Sequence, residues 1–278
     1  MATAHGHFAW YELATSDVVA AKAFYADLLG WEATDTAISG MAYTLCTTLK
    51  RPVCGLLQLN EQARRLGLRP SWTGYIGVND VDTTVDRVKQ LGGAIYVPPR
   101  DMANVSRFSV IADPQEATLA LLKWLQPRLE QTIEPAAPGR VGWHELLAAD
   151  WEKVWAFYGA LFGWQKASAD TDVMGTYQLF SVAGQMIGGM FTKPPTVPTP
   201  FWLHYFTVGD IGAAAKRVIA SGGQVINGPI EVPNRHWVVQ CTDPQGAIFG
   251  LLGTRRYKRV TIARSDGLHK GPSEGPCH

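Results

Sequence analysis

Apolar positions along this chain fall into short alternating runs separated by single amphipathic helices, and the same succession returns four times. Ala9 to Ala14 alternates apolar and polar residues, the period of a strand with one buried face. Ser16 or Asp17 then offers a helix cap. Ala21, Phe24, Tyr25 and Leu28 recur at three-to-four spacing, and Gly30 is placed as a left-handed stop. Asp150, Val154, Phe157, Tyr158, Leu161 and Gly163 repeat that helix. Val81, Val85 and Val88 before Gly92, and Ile211, Ala214 and Val218 before Gly222, predict two more. Short β-like runs follow the helices, among them Ala42 to Thr47, Phe108 to Ala112, Tyr177 to Val182 and Trp237 to Cys241. The predicted order is βαβββ, four times over, which is an α+β sheet protein with its helices on one face of the sheet.

The repetition extends to identities. Trp10-Tyr-Glu-Leu, Asp17, Phe24-Tyr25 and Gly30-Trp31 return 133 residues later as Trp143-His-Glu-Leu, Asp150, Phe157-Tyr158 and Gly163-Trp164. Trp72, Tyr75, Val78, Asp80, Arg87 and Gly92-Gly93 return at an offset of 130 as Trp202, Tyr205, Val208, Asp210, Arg217 and Gly222-Gly223. Asp113-Pro-Gln and Asp243-Pro-Gln close the two copies. A period this long marks two alike domains, each of two modules. The first domain is expected over residues 1–125, with modules at about 7–60 and 72–124. The second is expected over 140–253, with modules at about 140–190 and 202–253. Gln126 to Gly139, with three prolines, reads as the linker, and Asn60 to Ser71 and Phe191 to Phe201 as crossing loops. Residues 254–278, with six Lys or Arg against Asp266 and Glu274, read as a solvated basic tail.

Bulk properties narrow the function. The 278 residues are 46% hydrophobic and 18% charged, enough for two ordinary cores. A net charge of +1 supplies no long-range field, so neither nucleic acid nor a membrane is an expected partner. No apolar run reaches spanning length, the N-terminus lacks a secretory pattern, and Cys46, Cys54, Cys241 and Cys277 show no metal-type spacing. A cytoplasmic protein with reduced thiols is the expectation, as a monomer of two domains or a homodimer. No GxxxxGK, GxGxxG or HExxH motif is present.

The string of strand, Asp-capped helix with Phe-Tyr, Leu-Gly-Trp or Phe-Gly-Trp, and Asp-Pro turn into a last strand resembles the vicinal oxygen chelate superfamily over about residues 7–253. That family includes glyoxalase I, bleomycin-resistance proteins, fosfomycin-resistance enzymes and extradiol dioxygenases. The resemblance implies four βαβββ modules paired into two cup-shaped, curved mixed sheets with helices on the outer face. It also implies a small molecule inside the cup and, in the family's enzymes, a divalent metal held there by His and Glu. At the positions where the family carries ligands this chain has Trp10 and Trp143, Thr73 and Leu203, and Ala120 and Gly250. The stretches Gly55 to Leu59 and Gly188 to Phe191 contain no His, Asp or Glu. No metal residue is therefore assigned, and no cofactor is expected, with a divalent metal as the alternative.

Strand alternation puts Trp10, Glu12, Thr73 and Tyr75 in one cup and Trp143, Glu145, Leu203, Tyr205 and Thr207 in the other. The tryptophans either line an accessible pocket or plug it. Glu12 and Glu145 are the candidate catalytic residues: burial would raise their pKa and suit them to proton transfer, unless each is tied down as structural support. Arg107 is a possible partner for Glu12, with Trp237 in its place in the second domain. His236 is placed at the cup rim. His144 and His204 fall on the opposite parity, facing the helices, where a satisfied core histidine is the expectation. The resulting reading is a small-molecule binding protein for an aromatic or amphipathic metabolite. The alternative is a glyoxalase-like lyase or isomerase, or a dioxygenase-related enzyme, with a nonstandard metal site or with Glu12 and Glu145 as general bases.

Overall fold

The structure is a computed structural model that describes residues 5–38, 40–102, 104–126, 137–172 and 175–255. Most of the expected linker, 127–136, and the expected basic tail from 256 onward lie outside the described residues. The first module comprises β1 (Phe8–Thr15), α1 (Val18–Leu29), β2 (Glu32–Ile38), β3 (Met41–Thr48) and β4 (Arg51–Gln58). A short helix, α2 (Glu61–Arg65), capped by the Asn60 side chain, occupies the crossing to the second module, where the sequence had suggested only loop. The second module is β5 (Ser71–Gly77), α3 (Val81–Gln90), β6 (Ala94–Met102), β7 (Ser106–Ala112) and β8 (Thr118–Trp124). The third is β9 (Val141–Ala148), α4 (Trp151–Phe162), β10 (Gln165–Asp172), β11 (Gly175–Val182) and β12 (Gln185–Thr192). The fourth is β13 (Phe201–Val208), α5 (Ile211–Ala220), β14 (Gln224–Val232), β15 (His236–Thr242) and β16 (Ile248–Gly253).

Local chemistry sets the helix ends as expected. The carboxylates of Asp17, Asp80, Asp150 and Asp210 each accept a hydrogen bond from a backbone N–H three residues on, satisfying a donor the first turn leaves free. Gly30 and Gly163 both stop their helices at φ 69°. The strands assemble into two eight-stranded mixed sheets of identical order, β2-β3-β4-β1-β5-β8-β7-β6 and β10-β11-β12-β9-β13-β16-β15-β14, one of them curled into a half-barrel. In each sheet the two modules meet antiparallel along β1 and β5 or β9 and β13, and the outer connections next to this seam are parallel.

The core departs from the expectation of one per domain. Helix α1 packs on α5 and α3 on α4, so the helix-bearing faces of the two sheets close on each other. One core joins Leu13, Phe24, Leu28 and Trp31 from the first domain to Phe206, Ile211, Val218 and Phe249 from the second. The other joins Ile76, Val85 and Leu121 to Val154, Phe157, Trp164 and Trp202. Neither helix layer could be left bare: each carries aromatic side chains whose burial is worth about 1.5–3 kcal/mol apiece.

Polar contacts repeat across this seam with pseudo-twofold symmetry. The Tyr25 hydroxyl donates to Asp243 at 3.1 Å and accepts from Trp72 Nε1 at 3.0 Å. The Tyr158 hydroxyl donates to Asp113 at 2.7 Å and accepts from Trp202 Nε1 at 3.0 Å. Trp31 and Trp164 donate to the Gly139 and Gly6 carbonyls, each at 2.7 Å. The duplicated Phe-Tyr, Gly-Trp and Asp-Pro-Gln strings are thus the residues by which the two halves grip each other. Among the described residues no helix is long and apolar enough to cross a membrane.

Candidate functional site

The helix-free face of each sheet carries the same four-residue constellation. In the first domain Trp10 pairs with Tyr75 and Glu12 with Thr73 across β1 and β5, which sets all four side chains on that face. The Glu12 carboxylate accepts from Tyr43 at 2.9 Å on Oε1 and from Tyr75 on Oε2, and Trp10 Nε1 donates to the Tyr43 hydroxyl at 3.0 Å. In the second domain Glu145 accepts from Tyr177 at 3.1 Å and from Tyr205 at 2.8 Å, and Trp143 Nε1 donates to Tyr177 at 2.9 Å. Glu12 and Glu145 are 6% and 8% exposed. Burial pushes both carboxyls above the ordinary range, and the phenol hydrogen bonds oppose that rise without cancelling it.

Glycines seat the phenol rings. A Cβ on Gly55 would lie 1.8 Å from the Tyr43 hydroxyl, and one on Gly189 would lie 2.2 Å from the Tyr177 ring. One on Gly250 would meet the Tyr205 ring at 2.3 Å. Tyr43, Tyr177 and Tyr205 thus each lie over a bare backbone position on a neighbouring strand, whereas Tyr75 lies opposite Ala120. Around the first carboxylate stand Tyr75, Phe108, Trp124, Val110 and Leu122. Around the second stand Leu147, Leu203, Phe191, Phe201, Val238 and Leu252.

The remaining expected site residues divide. Thr73 is half-buried beside Glu12, and Leu203 is buried beside Glu145. Thr207 shares the cup face with Tyr205 by alternation. His236 opens β15 opposite Val232, half-buried and on the same face as Val238 and Gln240. Trp10 is buried and Trp143 half-buried, so the first cup is more closely filled by its indole than the second.

Arg107 is not in the cup. It pairs with Lys123 while Phe108 pairs with Leu122, so alternation turns it to the helix side. There it binds Asp82 at 2.6 and 2.7 Å and Asp101 at 2.8 Å. Glu12 takes its hydrogen bonds from two tyrosines rather than from a cation. Gln240 was not anticipated: its amide donates to Tyr205 at 2.9 Å and to Glu145 at 3.4 Å. Tyr43, Tyr177 and the seating glycines were missed as well. The sequence did carry a trace of them, since Tyr43 and Gly55 recur as Tyr177 and Gly189 at the common offset of 134.

His144 and His204 do face the helices, at the centre of the pseudo-twofold. His144 sits 2.6 Å from the Tyr11 hydroxyl and 2.6 Å from the Ile187 carbonyl, stacked on Phe8. His204 corrects the expectation of a satisfied core histidine. It is 1% exposed, and neither ring nitrogen has a hydrogen-bond partner among the described residues. It fills the space that Gly74 leaves: a Cβ there would lie 2.7 Å from the imidazole.

A family-type metal centre does not fit this donor set. Indole, threonine hydroxyl, leucine, methyl and glycine occupy the inherited positions, and both carboxylates already accept two phenol hydrogens. Among the described residues no three His, Cys, Asp or Glu side chains gather closely enough to hold a metal.

With this geometry in place, comparison with known proteins gives the family. The profile of the Glyoxalase/Bleomycin resistance protein/Dioxygenase superfamily matches residues 6–121 and 140–251, and the chain belongs to that superfamily. Among individual relatives, a Mycobacterium tuberculosis (strain CDC 1551 / Oshkosh) protein provisionally named glyoxylase CFP32 is 34% identical over 246 residues, covering 87% of this chain and 93% of its own. The anthracycline biosynthesis protein DnrV of Streptomyces peucetius is 31% identical over 265 residues, covering 91% and 94%. The fold is shared with the Mn(II)-bound glyoxalase from Novosphingobium aromaticivorans at TM-score 0.62 and 14% identity, over 92% of this chain and 84% of that one. An extradiol ring-cleaving dioxygenase from B.fuscum superposes at TM-score 0.63 and 14% identity, over 92% and 74%.

Proposed function

We propose that the protein binds small aromatic or amphipathic molecules in its two cups by shape, stacking and hydrogen bonding, without the superfamily's metal. The observation that carries this reading is the duplicated constellation of one buried carboxylate, two phenols and one indole on the helix-free faces. Apolar and aromatic lining with a few convergent polar groups is what small-molecule sites present. The carboxylate acts as an anchor. By accepting both phenol protons it fixes the tyrosine rings. A cytoplasmic setting belongs to this proposal, and the described cysteines are free thiols. The relative named for anthracycline biosynthesis supports a polycyclic or otherwise aromatic guest.

The test is calorimetry and thermal-shift screening of purified protein against aromatic metabolites, with and without EDTA. Binding that survives the chelator, with no stoichiometric metal by elemental analysis, is the expected result. Binding that collapses on chelation refutes it.

One feature favours an enzymatic reading as well. A carboxyl whose pKa burial raises is suited to proton transfer. In that reading Glu12 or Glu145 is a general base on a carbon acid in a lyase or isomerase of the glyoxalase type, and Glu12→Gln and Glu145→Gln abolish turnover while ligand still binds.

A further inference from the structure

The two cups share their buried constellation but differ at the rim, and the difference is one of charge. Arg100 on β6 pairs with Phe108 on β7, and Phe108 pairs with Leu122 on β8, so Arg100 lies on the cup face of the first sheet. Its guanidinium stands 5.5 Å from the centre of the Phe108 ring, whose own neighbour is Tyr75 at 6.5 Å. It is exposed, and among the described residues it has no carboxylate partner. The nearby aspartates are committed elsewhere: Asp82 and Asp101 bind Arg107 on the opposite face. Glu12 is buried beneath Tyr43 and Tyr75. In the second cup Ile230 opposite Val238 occupies the place of Arg100 opposite Phe108, and Gln240 occupies that of Val110.

We infer that the first cup selects an aromatic ligand bearing a carboxylate or similar planar anion, held by Arg100 at the Phe108 edge, whereas the second cup takes a neutral one. This rests on the proposed role of the cups as small-molecule sites. An arginine already laid against an aromatic ring is pre-oriented: its planar fork pairs with a carboxylate while the ligand's ring packs against Phe108. A neutral ligand in that position would leave the cation unmatched. In the second cup, an anion would be set against Ile230, Val238 and Leu252, beside the uncharged Gln240 amide, which already donates to Tyr205 and Glu145.

The experiment uses the full chain with 2-naphthoate and its neutral counterpart 2-naphthamide, titrated by calorimetry. The expected result is a single 2-naphthoate site, about ten-fold tighter than for 2-naphthamide, as one charge-assisted pair gives, and weakening as salt is raised. Arg100→Gln removes that preference, so that the two probes bind with equal affinity. Ile230→Arg adds a second 2-naphthoate site, a gain that misfolding cannot produce. Equal affinities of the unaltered protein for the two probes, or a preference that persists in Arg100→Gln, overturns the inference and leaves the cups as binding sites. Absence of binding by both probes overturns the inference together with the reading on which it rests.

Discussion

Replacing Tyr158 by Phe removes one oxygen from the seam between the two halves and orphans two buried groups. The hydroxyl donates to Asp113 Oδ2 at 2.7 Å and accepts from Trp202 Nε1 at 3.0 Å. Asp113 Oδ1 is already taken by the amides of Gln115 and Ala117 at 2.7 and 3.0 Å, so nothing nearby replaces the lost donor on Oδ2. A hydrogen bond to a charged acceptor contributes about 1.5–3 kcal/mol, and an unsatisfied indole N–H adds about 1 kcal/mol, which sets the expected loss at about 2–4 kcal/mol. For a chain of this size that lowers Tm by roughly 5–15 °C.

The loss also depends on pH. Burial raises the Asp113 carboxyl and the Tyr158 hydrogen bond opposes that rise, so the variant's carboxyl titrates higher still. A folded pKa above the unfolded one means the fold binds the extra proton, and stability falls as pH rises through the window between them. The gap between variant and parent should therefore be widest at neutral pH and narrow below the carboxylate range. The mirror change, Tyr25→Phe, breaks the equivalent bond to Asp243, which is longer at 3.1 Å, and should cost somewhat less. Urea unfolding and calorimetry of both variants give the numbers. A loss below about 1 kcal/mol at neutral pH, or one that grows on acidification, refutes the assignment of these tyrosines as the polar lock of the seam.

Two further outcomes follow from the buried groups. His144 is held at about 4 rather than 6.5, chiefly by burial, and His204 is depressed in the same direction by burial and by His144. A histidine buried neutral contributes stability that is complete above about pH 6.5 and is lost as pH falls toward about 4, about 3 kcal/mol for the His144 displacement. His204→Leu removes an unpartnered polar ring, so its unfolding midpoint should match or exceed the parent's at pH 7.5 and exceed it clearly at pH 5. A variant with the parent's full acid slope would count against this account. Gly55→Ala places a methyl 1.8 Å from the Tyr43 hydroxyl, which must swing away from Glu12. The expected result is a loss of about 1–3 kcal/mol by overpacking, with first-cup binding weakened and second-cup binding retained. Unchanged first-cup affinity would show that Tyr43 does not shape the site.

Much of this protein could be read from its residues in order. Periodicity placed the helices and their caps, because Asp at the start and Gly at the end satisfy backbone groups locally, whatever surrounds them. Repetition at offsets of 133 and 130 divided the chain, and strand parity put Trp10, Glu12, Thr73 and Tyr75 on one face. Contacts that join distant segments were beyond that reach. Nothing in the local pattern says that Tyr25 meets Asp243, that Tyr43 caps Glu12, or that Gly55 is bare because a phenol ring lies over it. Arg107 shows the same limit from the other side: it was close in sequence to a strand of the cup, and only the pairing of β7 with β8 turned it toward Asp82. The sequence by itself determined the modules and which residues share a face, since both follow from backbone geometry over a few residues. The tertiary structure alone decided which faces meet, because the two helix-bearing surfaces complete the burial of their aromatic area against each other, and that closure leaves the two carboxylate-bearing faces as the cups.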